Sequence, residues 1–165
     1  MGGYEEVYSM QGKQSVRAIV LNGDTMLAMK RNKFGMQYYT LIGGGVKMGE
    51  EYEVALRREL REETGMEVGA MRLVFAENAG AMYGSQFVYL CEYVGGDPVL
   101  DPESEEAKIS AMGQNLYEPL WLPVSSIASV PFRSASLAQA LLDSIRSGFP
   151  EMPQELAWRP ETVTK

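Results

Sequence analysis

The feature that most constrains this chain is a helix-forming segment that carries acidic side chains on its apolar face. Residues 51–64 contain no glycine or proline and are rich in strong helix formers, so they predict a helix. On a helical wheel, one apolar stripe is formed by Tyr52, Ala55, Leu56 and Leu60. Glu59 and Glu63 fall inside that stripe, and Glu62 falls beside it. The predicted helix therefore turns carboxylates toward the protein and away from solvent.

Inward-facing carboxylates need compensation. They raise the free energy of the folded state unless they are paired or bind a cation. Glu59 and Glu63 are also four residues apart, a spacing at which like charges on a helix repel each other. A divalent cation would relieve both effects, and oxygen ligands suit Mg²⁺ or Mn²⁺, which also bind phosphate oxygens. A solvated charged helix is the alternative, and the position of the acids on the wheel disfavours it.

A longer pattern surrounds these acids. Gly44 is followed by five residues, Glu50, seven further residues and the run Arg58-Glu59-Leu60-Arg61-Glu62-Glu63-Thr64-Gly65-Met66. This arrangement resembles the signature of the Nudix hydrolases, G-x5-E-x7-R-E-U-x-E-E-x-G-U, where U is a bulky aliphatic residue. All nine specified positions match, and similar flanks extend the resemblance over roughly residues 15–147.

The resemblance assigns expected roles to the signature residues. It implies that Glu59 and Glu63 are the main metal ligands, with Mg²⁺ or Mn²⁺ as the cofactor. It implies that Glu62 is either a third ligand or the base that orients the attacking water. Glu50 is expected to lie across from Arg58, so that this pair holds the preceding loop on the helix.

Substrate contacts are expected from residues outside the helix. Gly44 and Gly45 belong to a three-glycine run, which allows the backbone to pass close to a metal ion and phosphates. Arg17 lies on an early predicted strand, where it could meet phosphate, and a surface charge is an equally good interpretation. Tyr83 lies in a loop and could stack on a base, although packing is the commoner role of tyrosine.

An acid outside the signature completes the metal site in some Nudix enzymes. The longest irregular stretch, residues 95–113, contains Glu105 and Glu106, which are candidates for this role. Long loops are often functional, whereas disorder is the alternative for such a segment. The sequence leaves open whether either acid reaches the site.

The rest of the chain predicts an α/β fold, and the resemblance implies an α/β/α sandwich with a mixed sheet. Strands are predicted at 15–20, 25–31, 38–42, 71–77, 86–93 and 117–122, with a loop at 32–37. A second helix is predicted at 134–146. We expect a single domain over residues 1–165, with an N-terminal arm at 1–12 and a surface tail at 150–165.

Composition excludes several classes of function. The net charge of −7 argues against a surface for long nucleic acid, although a bound cation still permits small phosphorylated substrates. The chain contains no histidine, which removes Ser-His-Asp and Cys-His catalysis. Its single cysteine, Cys91, is expected to be buried and unreactive. No apolar run is long enough to cross a membrane and no signal peptide is visible, so a cytoplasmic location is the default expectation.

These observations predict a magnesium-dependent pyrophosphohydrolase that cleaves a diphosphate linkage in a small nucleotide. The substrate could be a nucleoside triphosphate or a nucleoside diphosphate linked to another group. A catalytically silent nucleotide-sensing domain is a weaker alternative, because none of the metal glutamates is lost. An RNA cap-removing hydrolase is a third, disfavoured by the absence of a basic track. Homodimers are common in the family, but nothing in the sequence requires one.

Overall fold

The computed structural model of the protein describes residues 13–78 and 84–160. Tyr83, the predicted arm at 1–12 and the last five residues of the predicted tail lie outside these ranges. None of the helices within them has the length and hydrophobicity that a membrane crossing requires.

The described ranges contain a mixed sheet of eight strands. The strands are β1 (Gln14–Asn22), β2 (Thr25–Lys33), β3 (Met36–Thr40), β4 (Ile42–Gly45), β5 (Val68–Asn78), β6 (Ser85–Tyr93), β7 (Asn115–Pro123) and β8 (Gln154–Ala157). They run in the order β3-β2-β1-β6-β5-β8, with β4 also pairing β1 and β7 also pairing β2. The β1–β6 and β5–β8 pairs are parallel, and the other pairs are antiparallel. The predicted mixed sheet is thereby confirmed.

Helices cover both faces of this sheet. They are α1 (Tyr52–Thr64), α2 (Glu105–Ala111) and α3 (Ala135–Ser147). One core packs Val16, Ala18, Val20 and Ile42 against Ala55, Leu56 and Leu60 of α1. A second core packs Ile19, Phe75 and Val88 against Leu137 and Leu141 of α3. Side chains of β1 therefore alternate between the α1 face and the α3 face, as the two-residue period of a strand requires, and the α/β sandwich is confirmed.

The predicted helix at 51–64 is present as α1. It begins after Glu51 and ends at Gly65, whose φ of 69° is the left-handed conformation that glycine adopts without strain. The Gly65 N–H donates to the Arg61 carbonyl and closes the last turn. The other predicted strands are also present, most of them one to three residues longer at their ends than the sequence pattern indicates, but the strand predicted at 38–42 is divided. β3 ends at Thr40 and β4 begins at Ile42, because the first pairs with β2 and the second with β1.

The prediction of a loop at residues 32–37 was wrong. β2 continues to Lys33 and β3 begins at Met36, so only Phe34 and Gly35 form the turn between them. β2 pairs with β7 on its other side over its whole length. Pairing on both edges holds residues such as Asn32 in a strand, despite their low strand propensity.

Two other segments also contain structure that the sequence analysis did not expect. The stretch at 95–113 was predicted to be irregular, but it contains α2, which begins after Ser104. The Ser104 hydroxyl accepts a hydrogen bond from the Ala107 N–H at 3.1 Å, an arrangement that caps a helix. The segment predicted as a surface tail contains β8, which extends the sheet by pairing with β5.

Cys91 is buried on β6, as expected. Burial raises the pKa of its thiol to about 12, so the thiol stays protonated and is a poor nucleophile near neutral pH.

Candidate active site

Glu59 and Glu63 lie on the buried side of α1. Their exposed fractions are 7% and 5%, and the surrounding apolar stripe is fully buried at Ala55, Leu56 and Leu60. The wheel prediction for these two acids is therefore confirmed. A helix that is held by its apolar stripe fixes both carboxylates one turn apart, facing β4.

The glycines of β4 make room for these carboxylates. The Gly43 N–H donates a hydrogen bond of 3.1 Å to Oε2 of Glu63. A Cβ at Gly44 would lie 2.7 Å from the carboxyl carbon of Glu59, closer than real side chains approach. A Cβ at Gly45 would meet nothing within 4 Å. The close approach of backbone to carboxylate thus requires glycine at position 44 and not at position 45.

Arg58 connects the loop before α1 to the helix through an ion pair with Glu50. Its Nε and Nη2 donate to the two carboxylate oxygens of Glu50 at 2.9 and 3.0 Å. Its Nη1 donates to Glu59 at 3.0 Å and to Glu62 at 3.4 Å. The hydrogen bonds from Arg58, followed by one from the Lys47 N–H, lower the pKa of Glu50 to about 2. The expected Glu50–Arg58 pair is present, and it also orients one of the buried carboxylates.

A third carboxylate reaches the two buried ones from α2. One oxygen each of Glu59, Glu63 and Glu106 lie within 4.8 Å of one another. Glu106 is half-buried on the first turn of α2, whereas its neighbour Glu105 is exposed. Glu62 does not belong to this cluster among the described residues; its side chain is 40% exposed and contacts Arg58. The role of Glu62 as ligand or base stays a prediction.

Two carboxylates of the cluster are buried, and this changes their pKa values. Burial, followed by the charge of Glu59, raises the pKa of Glu63 to about 8. Burial also raises the pKa of Glu59, and Arg58 opposes that rise. The three carboxylates offer oxygen ligands at a spacing that suits a hard divalent cation such as Mg²⁺ or Mn²⁺. The positive charge of such an ion would also stabilise the ionised form of these buried side chains. These three residues could hold the ion.

The cluster lines one of two adjoining cavities. A cavity of about 240 Å³ is lined by the three carboxylates, the β4 glycines and Tyr117. A larger cavity of about 390 Å³ extends toward α3. The two share four lining residues, Arg17, Arg31, Thr40 and Leu41. A ligand can therefore extend from the carboxylates into the larger cavity past two arginines.

Arg17 is a half-buried residue at this junction. Its Nε donates to the Gln86 side chain at 3.1 Å, and its Nη1 donates to the Leu41 and Gly43 carbonyls, each at 3.2 Å. Burial lowers the pKa of its guanidinium, and the charges of Glu63 and Glu59 oppose that change. Within the described ranges, Nη2 of Arg17 donates no hydrogen bond. The surface-charge interpretation of Arg17 was wrong, because strand alternation points it into the junction.

Arg31 is the second cation at the junction. Its guanidinium carbon lies 3.6 Å from the centre of the Tyr117 ring and 5.6 Å from that of Tyr38. Hydrogen bonds to Asn115 and to the Leu116 carbonyl fix its position. Arg31, like Arg17, lies on an early predicted strand, where a basic side chain could meet phosphate or be a surface charge.

A family model for the NUDIX domain matches residues 12–141. The chain belongs to the Nudix family. Members of this family are pyrophosphatase-type hydrolases that act on phosphoric anhydride bonds, and they generally use a divalent metal ion. The predicted family is thereby confirmed.

Individual relatives are distant from this Nudix protein. The NAD-capped RNA hydrolase NudC of Stutzerimonas stutzeri (strain A1501) is 26% identical over 83% of this chain and 46% of its own length. The chain thus spans about half the length of the curated relatives it matches. The solution structure of the E. coli ORF135 protein has a TM-score of 0.62 at 20% identity, over 88% of this chain and 98% of that one. An ADP-ribose pyrophosphatase from Streptococcus suis 89-1591 has a TM-score of 0.60 at 17% identity, over 87% and 98%. These structures support the Nudix fold.

Proposed function

We propose that this Nudix protein is a magnesium-dependent pyrophosphohydrolase that cleaves a diphosphate linkage within a small nucleotide. The observation that supports the proposal is the cluster of Glu59, Glu63 and Glu106. This cluster lines a cavity that is also lined by two arginines, and the same arginines line the larger cavity beside it. The carboxylates can bind a cation, and the arginines can bind phosphate. Hydrolysis of the diphosphate requires little covalent chemistry from the protein. Positioning of the substrate and electrostatic stabilisation therefore account for most of the rate enhancement.

The cation would be held by Glu59, Glu63 and Glu106, with Mn²⁺ as a substitute for Mg²⁺. When bound, such an ion neutralises phosphate oxygens and lowers the pKa of a coordinated water. Arg58 keeps the Glu59 carboxylate in place, and the Gly43 N–H does the same for Glu63. These contacts fix the ligand oxygens before the ion arrives.

The remaining groups at the site act on substrate. We assign Arg17 to a phosphate at the junction of the two cavities, where Arg31 supplies a second positive charge. Glu62 is half-exposed and contacts the same nitrogen of Arg58 as Glu59 does, so it lies next to a carboxylate of the cluster. We assign it the role of base, whose position Arg58 controls.

The substrate class that fits best is a nucleoside diphosphate linked to a second group. The larger cavity holds about 390 Å³ beyond the arginine junction, a volume typical of sites for small molecules. The relatives named NAD-capped RNA hydrolase favour a dinucleotide such as NAD, or an RNA that carries it, as a second and narrower candidate. The net charge of −7 favours the free dinucleotide over a long RNA.

Incubation with Mg²⁺ and a panel of nucleotides tests the proposal. The panel contains nucleoside triphosphates, nucleotide sugars, ADP-ribose and NAD, and products are identified by mass spectrometry. We expect turnover of at least one member by the wild-type protein and loss of turnover in Glu63→Gln. If no member is turned over while Mg²⁺ is bound, the nucleotide-sensing alternative replaces this proposal. If Glu63→Gln retains wild-type activity, the assignment of the metal ligands is wrong.

A further inference from the structure

Two residues that follow β8 form part of the wall of the larger cavity. Trp158 and Pro160 line that cavity together with Arg17, Tyr38 and Leu137. The Nudix family model ends at residue 141, so this wall lies outside the part of the chain that the model matches. The signature therefore does not predict that these two residues line the cavity.

The position of Trp158 is fixed by pairing on its N-terminal side. β8 pairs in parallel with β5, and Ala157 lies opposite Asn78. Leu156 packs its side chain into the core on the α3 face of the sheet. Because side chains two residues apart on extended backbone point the same way, Trp158 continues along that face toward the cavity.

The segment is also held on its C-terminal side. The Arg159 N–H donates to the Ser136 hydroxyl at 3.1 Å, and the Ala135 N–H donates to the carbonyls of Arg159 and Pro160. Ser136 in turn donates to the buried carboxylate of Glu77. Trp158 thus lies between two backbone anchors, one on β5 and one at the start of α3, and the residue is 36% exposed.

The chemistry of the cavity matches a nucleotide that extends from the metal site. Its junction with the carboxylate cavity is lined by Arg17 and Arg31, which suit phosphate. Trp158 also lines the larger cavity, and aromatic rings are the surfaces on which bases stack, since every base has a π-face. The polar side chains of Thr40 and Gln86 line the same cavity and suit a ribose.

We propose that Trp158 is a substrate-binding residue on which the heteroaromatic base of the nucleotide stacks, so that the C-terminal segment selects substrates that carry a base. This inference rests on the proposed function, because it takes the phosphates to lie at the arginine junction. It predicts that Trp158 contributes to affinity and little to the chemical step, since the base lies away from the cleaved bond.

Intrinsic fluorescence tests the proposal without any hydrolysis. The chain has two tryptophans, and Trp121 lines neither cavity, so Trp121→Phe leaves Trp158 as the only emitter. AMP is expected to quench the emission of this variant saturably, whereas ribose 5-phosphate, which lacks the base, is expected to leave it unchanged. The Trp158→Phe variant, in which Trp121 alone emits, should show no quenching by AMP.

Affinity supplies a second and independent readout. Trp158→Ala should bind AMP about tenfold more weakly than wild type in calorimetry, and Trp158→Phe should recover most of that loss. Ribose 5-phosphate should bind all three proteins alike. Circular dichroism at the same temperature checks that each variant is folded, and the fluorescence of Trp121→Phe decides the matter if Trp158→Ala unfolds.

Each outcome separates this inference from the proposed function. Absence of saturable quenching up to millimolar AMP, or equal AMP affinity in wild type and Trp158→Ala, overturns the stacking of the base even if hydrolysis is observed. Quenching by AMP in a protein that hydrolyses no nucleotide upholds the stacking and overturns the proposed function instead.

Discussion

Replacing Glu63 by glutamine should abolish hydrolysis and, at the same time, stabilise the metal-free protein. Glu63 is 5% exposed, and burial together with the charge of Glu59 raises its pKa from 4.5 to about 8. At ~1.4 kcal/mol per pH unit, such a rise corresponds to a penalty of about 5 kcal/mol for the ionised carboxylate. Structural relaxation reduces penalties of this kind, so we expect a gain of about 2 to 5 kcal/mol at alkaline pH. Glutamine can keep the hydrogen bond from the Gly43 N–H.

The gain has a definite dependence on pH. A carboxyl whose pKa is higher in the folded than in the unfolded state binds more protons when folded. The stability of the metal-free wild type therefore falls as the pH rises from 4.5 to about 8 and levels off above that value. Below pH 4.5, Glu63 is protonated in both states, and the variant and wild type should differ little. Added Mg²⁺ should restore stability to the wild type and not to Glu63→Gln.

Urea unfolding in the presence of EDTA, at about pH 5 and about pH 9, measures the difference. Glu67→Gln is the matched control, since that side chain is 60% exposed and its replacement should change the free energy of unfolding by less than about 0.5 kcal/mol. Equal stability of Glu63→Gln and wild type at pH 9 would refute the reasoning. A gain of the same size at both pH values would refute it too, because the effect would then not come from ionisation.

Other substitutions separate the remaining parts of the site. Gly44→Ala would place a Cβ 2.7 Å from a ligand carboxylate and should weaken Mn²⁺ binding at least about tenfold in calorimetry, whereas Gly45→Ala, with open space around its Cβ, should bind like wild type. Glu106→Gln should weaken Mn²⁺ binding similarly while Glu105→Gln does not, and equal affinities in this pair would remove α2 from the metal site. Arg58→Lys should lower kcat/KM by about 100-fold at saturating Mg²⁺, because lysine cannot make the forked contact that positions the loop; an unchanged kcat/KM would contradict that role.

The parts of the site that the sequence predicts are those that local structure determines. Helix propensity and the 3.6-residue period place Glu59 and Glu63 on the buried face of α1 without any knowledge of the sheet. Gly44 and Glu50 lie eight and two residues before the start of the same helix, and Arg58 lies within it. These residues are close together along the chain, so the spacing of the signature largely determines their relative positions in the site.

The parts that the sequence leaves open depend on pairing between distant segments. Glu106 reaches the cluster only because α2 packs beside β7, a contact that its own loop sequence does not encode. Trp158 reaches the larger cavity only because β8 adds to the edge of β5. The four residues of β8 have no alternating apolar pattern, so nothing in them predicts a strand.

The position of the cleaved bond is the most direct test of the central claim. A nucleotide that is turned over in Mg²⁺ is incubated with wild type, with wild type in EDTA and with Glu63→Gln, and the products are followed by phosphorus NMR and mass spectrometry. For a nucleotide whose diphosphate joins two organic groups, the site of Glu59, Glu63 and Glu106 predicts two products that each end in a phosphate monoester, formed only by the wild type with metal. Products that keep the diphosphate intact, or cleavage that continues in EDTA, would contradict it.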